Sequence, residues 1–392
     1  MKIYVSNIPD THNYGSAMMV INALYYLRKE LPEAVFYTDC KNYDHLSNIM
    51  NSTGIDRIYK SPIVKDYWRI REFISGIIRC FDAVLILGGD DFAEYYTRFY
   101  LLFELDIIRE LSAHMKVLML GQTLGPFTPF VKSVAERSLK DALIFTRDPK
   151  CFQYCRIEMG LQNIVESQDL SLLDLPDQSV YDRDLLHQHG LVASEYVTLV
   201  PSGFAEWYCE NRDAYIDTWV SIIKDMLCMP YLRNKLIFLL PHDIRQPHSD
   251  LNCILEIISK LDDESKQLVR YTDRELSPSQ ARSILGNGCY TVTGRMHAGL
   301  STLQIGKPAI FLSYSVKYQG VVGEGMNLPE LIIEAVGNDL WEEGTILNQT
   351  MEKVRLIQEN YDTFLNRIRN EINKAKDLSL RQVSRAADYL KQ

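Results

Sequence analysis

Residues 289–312, CYTVTGRMHAGLSTLQIGKPAIFL, decide how the rest of the chain is read. The apolar, β-branched run Cys289–Thr293 predicts a strand, and the small-residue stretch Ala298–Ile305 predicts a helix. Ala309–Leu312, entered through Gly306-Lys307-Pro308, predicts a second strand. A strand, a helix and a strand in so short a span make one βαβ unit, the building block of a parallel sheet.

The same alternation recurs on both sides of that unit. In the first half, strands are predicted at Lys2–Ser6, Ala34–Thr38, Ala83–Leu87, Lys116–Leu120, Ala142–Phe145 and Asn163–Glu166, with helices over Ser16–Leu31, Thr97–Ala113 and Pro129–Lys140. In the second half, strands at Tyr196–Val200, Leu236–Leu240 and Gln267–Tyr271 alternate with helices at Ala214–Met229, Asp250–Leu261 and Ser277–Leu285. Asp169–Gly190, with Pro176 and a His-Gln-His segment, breaks the pattern and reads as a linker. The expectation is α/β: two Rossmann-like domains, 1–178 and 179–345. In 346–392, Val354, Ile357, Tyr361, Phe364, Ile368, Ile372 and Ala375 recur at heptad-like spacing and predict one long amphipathic helix packing back across both domains.

The 392 residues suit two or three domains at about 150 residues each. Against 51 Asp and Glu stand 42 Lys and Arg, a net charge of −9 that disfavours a nucleic-acid binder. Residues 351–392 carry nine basic against six acidic groups, +3, leaving −12 for the rest. That basic helix is the feature suited to peripheral contact with an anionic membrane face. The N-terminus turns polar at Asn7, which leaves no room for the apolar core of a signal peptide, and nowhere do 18 apolar residues run together. A cytoplasmic protein with reduced, mostly buried thiols among its eight cysteines is expected.

Chemistry-bearing residues cluster just after the predicted strands, where doubly wound folds place their ligand loops. Asn13-Tyr14-Gly15-Ser16 opens the first helix, with Gly15 read as the residue of a tight turn. Gly88-Gly89-Asp90-Asp91 and Gly121-Gln122-Thr123-Leu124-Gly125-Pro126 follow two neighbouring strands, and Thr146-Arg147-Asp148 follows the next. In Gly294-Arg295-Met296-His297, residues two apart face one side while the chain is extended, so both side chains are expected in one cleft. Guanidinium, imidazole and helix amides together suit a phosphate or carboxylate, and an imidazole delivers a proton near neutrality. Lys317 follows the last predicted strand and adds a point charge. Cys151 and Cys155, His187 and His189, and His242, Asp243 and His248 fall short of the four ligands of a usual metal site, so no metal is expected.

Taken together, these loops resemble the polysaccharide pyruvyl transferase family. The likeness is carried by Asn13-Tyr14-Gly15, Gly88-Gly89, Gly121 to Pro126, Arg147-Asp148, and above all the run from Arg295-Met296-His297-Ala298 through Gly306-Lys307-Pro308 to Ser313-Tyr314, Lys317 and Gly320. It spans residues 1 to 323 in consistent order. The resemblance implies two facing Rossmann-like domains of the B-type glycosyltransferase kind. The chain departs from the family pattern at Ser16, where an acidic residue is usual, and at Asp90, where a third glycine is usual.

The resemblance implies transfer of pyruvate from phosphoenolpyruvate to two hydroxyls of one sugar in a surface or capsular polysaccharide or its precursor, with no separate cofactor. His297 is then expected as the general acid and Arg295 as its catalytic partner, with Arg147, Arg295, His297 and Lys317 on the donor. Asn13, Ser16, Asp90, Asp91 and Gln122 are expected on the acceptor side, the acceptor being a free or lipid-linked sugar. Tyr95, Tyr96, Phe99, Trp207 and Tyr208 are candidates for stacking on its ring. Two alternatives share the architecture: a nucleotide-sugar glycosyltransferase, with Glu324 or Glu330 on a ribose, and a non-catalytic glycan-binding relative.

Overall fold

Among the described residues, every pairing between the strands of the two sheets is parallel. The structure is a computed structural model that describes residues 1–94, 98–179 and 182–392. One sheet holds β1 (Lys2–Ser6), β2 (Val35–Thr38), β3 (Ile58–Lys60), β4 (Ala83–Leu87), β5 (Lys116–Gln122), β6 (Leu143–Thr146) and β7 (Ile164–Glu166), in the order β3-β2-β1-β4-β5-β6-β7. The other holds β8 (Tyr196–Val200), β9 (Leu236–Leu239), β10 (Val269–Tyr271), β11 (Thr291–Thr293), β12 (Ala309–Ser313) and β13 (Ile332–Glu334), in the order β10-β9-β8-β11-β12-β13. Strand order reverses between β1 and β4 in the first sheet and between β8 and β11 in the second. Doubly wound sheets bind ligands in the crevice beyond the strand ends at such reversals.

The chain divides into two compact units, residues 1–11, 16–176 and 374–392 in one and residues 12–15 and 177–373 in the other. In the first unit, strand periodicity sorts the core. Ile3, Val5, Leu85, Leu87, Leu118 and Leu120 join one apolar cluster, while Tyr4, Val84, Ile86, Val117 and Met119 join the other. Both faces are covered, which is why these strands read as continuous apolar runs.

Several boundaries differ from the sequence reading. The three-residue strands β3 and β13 are absent from the sequence reading, which does include the equally short β7, β10 and β11. The expected linker 169–190 is in part core: Leu170 and Leu173 pack in the first unit, and Asp169 is fully buried. The single C-terminal helix is two, Thr345–Glu359 and Tyr361–Lys391. Asn360 separates them because its backbone N–H caps Ile357 and Leu356 and its side chain donates to the Leu356 carbonyl. The apolar stripe of the last helix is inward: Ile368, Ile372, Ala375, Val383, Ala386 and Leu390 are buried. Among the described residues no helix is long and apolar enough to cross a membrane. All eight cysteines are free thiols, six of them buried.

The helix Met296–Gln304 lies directly on β12. A Cβ built on Gly299 would stand 2.1 Å from the Phe311 ring. Alanine gains about 1 kcal/mol over glycine in a helix interior, but overpacking a core costs about 1–3 kcal/mol. Gly299→Ala is therefore expected to destabilise the protein by up to about 2 kcal/mol net in urea unfolding, against the direction helix propensity alone predicts.

Candidate active site

In the second unit, the loops that follow β9, β8 and β11, three neighbours in the sheet, converge on one carboxylate. Asp250, fully buried at the start of the helix Asp250–Lys260, accepts backbone N–H bonds from Gly203 (2.7 Å), His242 (3.0 Å) and Asp243 (2.8 Å). Arg295 adds a forked contact, Nε at 3.0 Å and Nη2 at 2.6 Å from Oδ1. Its Nη1 lies 3.4 Å from Asp243 Oδ2, and its guanidinium stacks 4.8 Å from the Phe204 ring centroid. Arg245 closes the group with two bonds to Asp243, of 2.9 and 2.6 Å. The four charges sum to zero.

Burial pushes the Asp250 carboxyl up from its ordinary range, opposed by Arg295 and the Gly203 amide. Burial also raises Asp243, but Arg245 and Arg295 outweigh it and hold that carboxyl below the usual range. His242 is fully buried beside them. Burial first, then the nearby His297 and Arg295, pushes its imidazole down to about 3.

The turn into the helix Met296–Gln304 is fixed by Thr293, whose Oγ1 accepts from the Arg295 N–H (2.8 Å) and donates to its carbonyl (2.9 Å). That helix starts at Met296, not Ala298. The rule that residues two apart face one side therefore does not govern Arg295 and His297, since only the first is extended. Arg295 turns onto Asp250, whereas His297 lies against Gly15. After β12, Lys317 Nζ donates to Tyr314 Oη at 2.6 Å, and the Tyr314 ring meets Trp207 edge-on at 4.8 Å.

The segment carrying Asn13 belongs to this unit rather than to the N-terminal one. Asn13 forms an antiparallel bridge with Asp243 and donates from Nδ2 to its Oδ2 at 3.1 Å. Its side chain is thus engaged with the ion-pair group, a contact the acceptor-side reading did not include.

In the first unit, Gly88 permits a close approach of two loops, because a Cβ there would lie 2.2 Å from the Gly121 carbonyl oxygen. The Thr123 N–H donates to the Gly89 carbonyl at 2.8 Å. Arg147 is 1 % exposed, with Nε on Thr123 Oγ1 at 2.7 Å, Nη1 on Asp169 at 3.3 Å and Nη2 4.0 Å from Asp90. It pairs with Asp169, not with the adjacent Asp148, which instead caps the Cys151 amide. A guanidinium so enclosed braces the loops. Gln122 is also fully buried, its Nε2 on the carbonyls of Ile86 and Leu120, so it is not an exposed acceptor contact. Asp91 is exposed, while Asp90 and Ser16 are half-buried.

The stacking candidates separate in the same way. Tyr208 is buried with its hydroxyl on the Gly294 carbonyl, Trp207 is half-buried, and Phe99 is exposed. Tyr95 and Tyr96 lie outside the described residues. Glu330 is paired with Arg367, while Glu324 is exposed. Reading the sequence missed Asp250, and it weighed His242 and Asp243 only as metal ligands. The usable signal was Asp250 at a helix start just after the strand-end pair His242-Asp243.

The model of the polysaccharide pyruvyl transferase family matches residues 13–316. No curated protein matches the chain. Among solved structures, a UDP-N-acetylglucosamine 2-epimerase from Rickettsia bellii is similar at TM-score 0.63 and 14 % identity, covering 100 % of this chain and 98 % of that one. A putative UDP-N-acetylglucosamine 2-epimerase from Listeria monocytogenes is similar at TM-score 0.62 and 11 % identity, over 94 % and 90 %. A glycosyltransferase from Rickettsia africae is similar at TM-score 0.61 and 11 % identity, over 100 % and 98 %. At such identities the likeness establishes the fold, two Rossmann-like units of the B-type glycosyltransferase kind.

Two outcomes test this network. Asp250→Ala strands Arg295 beside Asp243 and frees three amides, so a loss of about 3–5 kcal/mol is expected in urea unfolding. His242, lowered to about 3, takes up a proton in the unfolded chain before the folded one, so stability falls as pH drops below the ordinary histidine value. Between pH 6.5 and 4 the wild type is expected to lose about 3 kcal/mol more than His242→Gln, at about 1.4 kcal/mol per pH unit.

Proposed function

The chain belongs to the polysaccharide pyruvyl transferase family, and from that premise we propose that it moves pyruvate from phosphoenolpyruvate onto two hydroxyls of one sugar, forming a cyclic ketal and releasing inorganic phosphate. The sugar belongs to a polysaccharide or to its free or lipid-linked precursor. The observation that carries this reading is the turn at β11, where Arg295 and His297 enter a helix at the strand-order reversal of the second sheet.

The reaction needs a proton on the methylene carbon of the enol phosphate, which leaves a cationic carbon for the first hydroxyl to attack. That hydroxyl loses its proton, the phosphate departs, and the second hydroxyl closes the ring with loss of its own proton. His297 is the proposed acid. Its position in the first turn of the helix Met296–Gln304 sets it beside backbone amides suited to the donor's anionic groups. Lys317 supplies a further positive charge for the departing phosphate. Arg295 has five N–H donors, and its contacts to Asp250 and Asp243 orient the group while leaving part of the fork for the donor. No metal has a part in this scheme, and the protein acts in the cytoplasm or at the inner face of the membrane.

The test is phosphate release from phosphoenolpyruvate across a panel of galactosyl, glucosyl and N-acetylmannosaminyl acceptors. His297→Ala is expected to unfold at the wild-type temperature within a few degrees and to lose about 100-fold or more in turnover. Wild-type turnover in that variant removes His297 from the chemistry. Silence on every acceptor, with thermal protection by a nucleoside diphosphate, points instead to a nucleotide-sugar enzyme.

A further inference from the structure

We propose that Gly15 is a positioning residue for His297, acting by close packing; the inference rests on the acid role given to that imidazole. The backbone at Gly15 lies outside the left-handed region, so no turn geometry demands a glycine there. Space demands it. A Cβ on Gly15 would stand 2.3 Å from His297 Cβ, 2.4 Å from Cγ and 2.6 Å from Nδ1. The root of the imidazole and its Nδ1 edge thus rest on a bare backbone wall, and any side chain there drives the ring out of place.

The wall is itself held. The Tyr14 N–H donates to the His242 carbonyl at 3.1 Å, and the Ile244 N–H donates to the His12 carbonyl at 3.0 Å, so residues 12–14 run as a short antiparallel strap along 242–244. Asn13 ties the strap to Asp243, and the Leu276 N–H donates to Tyr14 Oη at 2.9 Å. The Tyr14 ring packs edge-on against His242 at 5.7 Å. On the other side, Thr293 fixes the turn from which His297 emerges. Wall and turn are tied to the same ion-pair group, the wall through Asp243 and the turn through Arg295. The imidazole is therefore referenced to the guanidinium two residues before it. A proton delivered to one carbon needs that precision, since a displacement of about 1 Å at a reacting group costs on the order of 100-fold in rate.

The experiment is a cycle of Gly15→Ala, His297→Gly and the double variant, read by thermal unfolding and by phosphate release from phosphoenolpyruvate. Glycine is chosen at 297 because the nearest contact is to the His297 Cβ itself, which alanine would keep. Gly15→Ala is expected to lower kcat by about 100-fold with a much smaller change in KM for phosphoenolpyruvate. It is also expected to lower the melting temperature in the wild-type background but not in His297→Gly, because the clash has gone. Wild-type kcat in Gly15→Ala overturns the proposal, as does an equal melting penalty in both backgrounds, which would make Gly15 a local backbone requirement unrelated to His297. If the wild type releases no phosphate on any acceptor while the thermal coupling persists, the pyruvyl-transfer reading fails and Gly15 is left as a packing partner only. If His297→Ala loses turnover and Gly15→Ala does not, the positioning role alone fails.

Discussion

A carboxylate buried without partners is among the costliest features a fold can hold, and Asp250 is buried completely. Three backbone amides and one guanidinium satisfy it, and they come from the loops after three adjacent strands, β8, β9 and β11. Those loops must therefore sit where the carboxylate needs them. The orientation of Arg295, the course of 242–244 and, through Asp243, the seat of Asn13 all follow from this one requirement.

The same requirement reshapes the electrostatics of the second unit. Reading cations off the sequence counts Arg295 as a charge available to an anion, but with Asp243, Asp250 and Arg245 around it the group is neutral. What the group retains is directional hydrogen bonding within a net-neutral cluster. The first unit repeats the theme, since Asp169 and Asp90 surround Arg147. The sequence as a whole carries −9, and both arginines singled out in it stand between carboxylates.

Much of the fold was legible because both faces of a parallel sheet are covered, so the strands stand out as apolar runs between helical patterns. The runs at β4 and β8 are examples. Three residues carry little pattern, so of the five strands that short among the described residues β3 and β13 went unread while β7, β10 and β11 did not, and the stop at Asn360 depends on where one amide side chain finds a carbonyl. Of the candidate site, the residue types and their places at strand ends were readable. Their partners were not: Asp250 is an ordinary helix-start residue by sequence, and Gly15 reads as a turn glycine until His297 is seen against it.

The sequence by itself determined the class of fold, the number of Rossmann-like units and the loops that carry the chemistry, because periodicity and loop composition are local properties of the chain. Only the tertiary structure decided which of those side chains is braced and which is presented. Arg147 and Gln122 went to the interior, Asn13 went to the second unit, and Arg295 went to Asp250. A buried polar group takes whichever partner the folded chain brings within about 3 Å, and that partner can lie a few or a few hundred residues away.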